Sequence, residues 1–99
     1  TLAAIGNEGA LAPAPDAEVE GALEFAWIDV PGALWVRLEV RAEESEVLAA
    51  VVPAGVGRYP APPWFVEAQR GKPLSWRIVA YQGGGRTLAG TSWRAVTVR

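Results

Sequence analysis

The side chains whose spacing could support chemistry are few, and most are carboxylates. Asp16, Glu18 and Glu20 alternate along one side of an extended segment, an arrangement that oxygen-coordinated calcium could use. Solvated charge on an edge strand explains the same three residues. With Asp29 they also form the pool for a catalytic carboxylate pair, but glycoside hydrolysis needs two such groups facing across a cleft of roughly 5–10 Å. The chain has no histidine and no cysteine. The base of a Ser-His-Asp or Cys-His nucleophile is therefore missing, and zinc and most transition metals lose their usual ligands. Gly83-Gly84-Gly85 is not followed by Gly-Lys-Ser/Thr, so it reads as a hairpin turn and not as a phosphate cradle. Arg70-Gly71-Lys72 likewise reads as a turn. The expectation is a protein without catalysis, metal or cofactor.

What remains is a set of aromatic and arginine side chains. Trp35, Arg37, Arg77, Tyr81 and Trp93 are the candidate binding residues, with Glu39 among them. Arginine stems stacked on indole rings gain roughly 0.5–2 kcal/mol, and Glu39 can pair with Arg77 across strands, which would make the set structural. Trp and Arg also dominate interface hot spots, which suits a protein partner. Aromatic platforms stack on sugars as well, and the three uses stay open.

These side chains need strands to present them. A period of two puts Leu23, Phe25 and Trp27 on one side of a strand over 23–28 and Glu24 on the other. After the Val30-Pro31-Gly32 turn, a strand over 34–42 turns Leu34, Val36, Leu38 and Val40 inward and Trp35, Arg37, Glu39 and Arg41 outward. Glu43-Glu44-Ser45-Glu46 is a polar turn. The stretch 47–52 is read as a strand over a competing helix, because Val47, Val51 and Val52 are β-branched, and its edge could pair with another chain. The three prolines of 59–66 predict an irregular edge, with Trp64 or Phe65 plugging the core. A strand over 74–82 turns Leu74, Trp76, Ile78 and Ala80 inward, and a last strand over 87–98 does the same with Val96 and Val98. An edge strand near 18–21 completes the count, and residues 1–15, ending in Ala12-Pro13-Ala14-Pro15, read as a flexible lead-in to a single domain over 16–99. The expected fold is all-β, an antiparallel two-sheet sandwich of about seven strands.

The pattern resembles fibronectin type III and related immunoglobulin-like modules over about residues 12–98. The carrying motifs are Phe25-Ala26-Trp27 followed by Val30-Pro31-Gly32-Ala33, then Val36-Arg37-Leu38-Glu39-Val40, Trp76-Arg77-Ile78-Val79-Ala80-Tyr81 and Ser92-Trp93-Arg94-Ala95-Val96-Thr97-Val98. The resemblance implies a core position for Trp27. It departs at the family's corner tyrosine, which is Leu74 here. The proline-rich lead-in with F-x-W and V-P-G-A is similar to extracytoplasmic domains of bacterial membrane proteins, some anti-sigma factors among them, and to modules of surface proteins and hydrolases. By that likeness the chain is a non-catalytic interaction or spacer module at the periplasm or cell surface. Its partner would be another protein or a neighbouring domain of the same chain, with carbohydrate as the alternative.

Composition fits this frame. At 99 residues one core is the expectation, and 51% apolar residues argue against general disorder. Methionine is absent even at position 1, which reads as a fragment of a longer protein. Eight arginines against one lysine, with abundant alanine, glycine and proline, match GC-rich bacterial coding. The scarcity of labile residues is compatible with a thermophile. Residues 1–50 hold ten acids and two bases, net −8, and residues 51–99 hold one acid and seven bases, net +6. In a sandwich such halves interleave and attract across the sheet. With Lys72 as the single lysine, no nucleic-acid surface is expected. No apolar run approaches the ~20 residues that cross a bilayer, so any membrane attachment would need a segment outside this chain.

Overall fold

The computed structural model describes residues 3–4, 10–14 and 16–99. Its elements in chain order are β1 (Ala3–Ala4), β2 (Ala10–Ala12), β3 (Ala17–Val19), β4 (Glu24–Trp27), β5 (Trp35–Ala42), β6 (Ser45–Pro53), β7 (Arg58–Pro60), α1 (Pro63–Ala68), β8 (Pro73–Gln82), β9 (Arg86–Gly90) and β10 (Arg94–Val98). Among the described residues the fold is all-β apart from α1 and a 3-10 turn at Gly83–Gly85.

Two sheets share one core. In the larger, β8 lies between β5 on one side and β9 with β10 on the other. β6 is added beyond β5, β3 beyond β10 and β1 beyond β9. The smaller sheet has the order β2-β4-β7. Phe25 of β4 meets Trp76 of β8 with ring centroids 5.1 Å apart. Around them Leu23, Trp27, Leu38, Phe65, Ile78 and Val98 belong to one buried cluster drawn from both sheets and α1. The inward alternation holds for Val36, Leu38, Val40, Leu74, Trp76, Ile78, Ala80, Val96 and Val98, each at most 2% exposed. Trp27 is 3% exposed.

The strand pairings are mixed rather than wholly antiparallel, because β3 runs parallel to β10 and β1 parallel to β9. The origin is the start of the chain. Within the stretch expected as a lead-in, β2 pairs antiparallel with β4 in the small sheet, and the chain then crosses to lay β3 along β10 in the large one. Arg94 Nη1 donates to the Pro13 carbonyl at 3.0 Å and ties the crossing down. Among the described residues there are ten strands instead of about seven. The excess comes from this divided beginning and from the final strand, which is broken between Gly90 and Arg94.

Three local expectations change. Leu34 is 61% exposed, not inward. It lies in a bend before β5 begins, held by its N–H on Tyr81 O and its carbonyl on Ala54 N, so strand alternation does not yet apply to it. The proline-rich stretch is ordered as edge strand β7 followed by α1. Pro63 stands at the first helical position, where its missing N–H costs nothing. Phe65 and Val66 donate their N–H groups to Pro62 O, and Phe65 enters the core while Trp64 remains 67% exposed. The acidic turn is shorter than its four residues: Ala42 pairs with Ser45, leaving a two-residue hairpin in which Glu43 takes a left-handed φ of 57°. Gly32, at φ 85°, closes the Pro31-Gly32 turn, with Ala33 N on Val30 O.

Candidate functional site

β5 and β8 pair in register from Trp35 opposite Tyr81 to Ala42 opposite Leu74. Odd-numbered residues of both strands therefore share the face away from the core. Trp35 and Tyr81 are stacked there with ring centroids 4.2 Å apart and planes 9° from parallel. Four residues further along β5, opposite Arg77, Glu39 accepts from two arginines: its Oε1 from Arg77 Nε at 2.7 Å and its Oε2 from Arg37 Nε at 2.9 Å. Arg37 Nη2 also donates to Glu46 Oε1 at 2.8 Å. The Arg37 guanidinium is held above its ordinary pKa, first by the hydrogen bond to Glu46.

Trp93 joins this face because the last strand is interrupted. Thr91 N donates to Ile78 O, and Thr91 Oγ1 accepts from Ile78 N at 3.1 Å. One residue thus satisfies both backbone groups of Ile78 while the ladder breaks, and Trp93 turns outward and Arg94 inward. The Arg41 and Arg77 guanidiniums lie 3.9 and 4.5 Å from the Trp93 ring centroid.

All five candidate residues are thus on one face, in two groups. Trp35 and Tyr81 form one; Arg37, Arg77 and Trp93 form the other, bound together by Glu39, Glu46 and Arg41. The groups adjoin along β5: Arg37 is two residues from Trp35, about 7 Å at strand rise, and Arg41 is four residues further on. In the second group Arg37 and Arg77 bind Glu39, and the guanidiniums of Arg41 and Arg77 lie on the Trp93 indole. That geometry stabilises the sheet. In the first group the stack adjoins exposed apolar side chains: Leu34 directly before Trp35, and Val51, opposite Arg37, which is 62% exposed. Leu34 and Val51 were missed from sequence. Only the Pro31-Gly32 turn, two residues before Leu34, signalled that the strand had not begun.

The carboxylates do not assemble. Asp16 has a left-handed φ of 59° before β3, so the alternating extended run is broken, and Glu18 pairs with Arg99 at 3.0 Å. Among the described residues no three Asp or Glu side chains converge in a way that could hold a metal ion. A hollow of about 300 Å³ beside α1, lined by Gly21, Ala61, Val66 and Glu67 among others, contains a single carboxylate, which is paired with Arg70.

Comparison with protein-family models, with curated proteins and with solved structures finds no match to this chain. Its function must be argued from the geometry alone.

Proposed function

We propose that this chain is a non-catalytic docking or spacer module, built as an immunoglobulin-like two-sheet sandwich and acting outside the cytoplasm within a larger bacterial protein. The fold part is supported by the divided first strand and by the single core drawn from both sheets. The docking part is carried by one observation: the Trp35–Tyr81 stack lies beside exposed Leu34 and Val51 at one end of the outer face. Aromatic rings with adjoining aliphatic side chains make the kind of centre on which protein partners bury their anchors. No helix among the described residues is long and apolar enough to cross a membrane.

The test is crosslinking of the parent protein in its host with Val51→Lys and Leu34→Glu. Loss of a specific crosslinked partner in both variants, with thermal stability unchanged, is the expected result. An identical crosslink pattern would leave only the spacer role. A tryptophan fluorescence response to members of a glycan panel, abolished by Trp35→Ala, would move the reading to carbohydrate.

A further inference from the structure

The two ends of the domain differ in both shape and charge. At one end, the loops 28–34, 53–58 and 82–87 are stitched together: Gly55 N donates to Asp29 Oδ1 at 3.0 Å, Leu34 N to Tyr81 O and Ala54 N to Leu34 O. This end exposes Ile28, Leu34 and Val56, each at least half accessible. The charges of these three loops are Arg58, Arg86 and Asp29, a net of +1. The opposite end comprises 18–24, 42–46, 60–73 and 97–99, and holds seven carboxylates and three bases, a net of −4. There Trp64 projects from the first turn of α1, flanked by Pro62 and Pro63 and 67% exposed. Exposed large apolar side chains are rarely clustered without use. Of the five that are exposed among the described residues, Ile28, Leu34 and Val56 are at the positive end, Val51 is on the outer face and Trp64 is at the negative end.

We propose that copies of this domain associate head to tail, the Trp64 knob of one copy seated on the Ile28–Leu34–Val56 end of the next. Charge complementarity selects a second copy as occupant, since the acidic end meets the basic one. The surfaces are not self-matching, so the contact is heterologous and continues from copy to copy instead of closing as a dimer. The molecule measures 37 × 22 × 21 Å, and β8, with ten residues, spans about 30 Å. Each end therefore offers about 400 Å², half of the ~800 Å² per partner in a standard interface. The association is weak and responds to concentration. It shares Leu34 with the docking patch above but not Trp35, Tyr81 or Val51, so Val51→Lys, which removes docking only, separates the two readings.

Sedimentation equilibrium of the 99-residue chain at low salt, up to roughly millimolar concentration, is the test. The expected result is a progressive series of oligomers that weakens as salt rises. Trp64→Ala and Val56→Glu each reduce association by about tenfold or more. An equimolar mixture of the two variants forms a 1:1 heterodimer and nothing larger, because each brings one intact end. Val51→Lys leaves the association unchanged. Both end substitutions are at exposed positions, and unchanged melting curves confirm that each variant folds. A wild type that stays monomeric, a wild type that stops at a closed dimer, association that survives Trp64→Ala, or a variant mixture that fails to pair would each overturn the proposal.

Discussion

On the inner face of β5 and β8, Val36, Leu38, Val40, Trp76, Ile78 and Ala80 are at most 1% exposed. On the outer face of the same strands Trp35, Arg37, Glu39, Arg77 and Tyr81 remain half-buried. Alternate residues of one backbone are thus held by two kinds of force. The inner set gains from removal of apolar area from water, which has no directional requirement. The outer set gains from oriented contacts: a ring stack, a carboxylate shared by two arginines and an indole beside two guanidiniums. Inner positions should tolerate change of shape poorly and change of salt well, and outer positions the reverse.

Trp76→Ala is the sharpest test of the dry side and should cost about 3–5 kcal/mol in urea unfolding, with little salt dependence. A loss under 2 kcal/mol would show that the two sheets do not depend on the Phe25–Trp76 contact. Glu39→Ala comes next. Its side chain is 14% exposed while those of Arg37 and Arg77 are about a third exposed, so solvent screens part of the gain and the expected loss is about 1–2 kcal/mol. Added salt should shrink it, and a salt-independent loss would mean that Glu39 acts by packing. Trp93→Ala removes the ring beside Arg41 and Arg77 and should cost about 1 kcal/mol; a double-mutant cycle with Arg41→Ala reads out their coupling. Glu43→Gly should stabilise by about 0.5–1 kcal/mol, since glycine accepts the left-handed turn at no steric cost. Val51→Lys should change stability by about 0.5 kcal/mol or less, which makes it the clean variant for binding experiments.

Much of the inner face was legible because alternation is a local property. Each of Val36, Leu38, Trp76 and Ile78 is two residues from a like neighbour, and a strand can bury them only together. The outer set was legible for the same reason, down to the pairing of Glu39 with Arg77. Trp93 was ambiguous, because a break in a strand allows its side chain to turn either way, and the choice depended on Thr91, in the break between β9 and β10, satisfying Ile78 of β8. Leu34 and Trp64 were out of reach. Their exposure follows from where a bend and a helix begin, and those points are set by contacts with Tyr81, Ala54 and the core.

By itself, the order of residues determined that this chain forms strands, which of their side chains go dry, and that histidine and cysteine chemistry is absent. The tertiary structure alone decided that the first strand is shared between two sheets, that Pro63 opens a helix, and that Leu34 and Trp64 stay exposed. The reason is one of range: alternation and turn preference act over two to four residues, whereas sheet order, helix docking and the meeting of distant loops are settled only when remote segments compete for the same core.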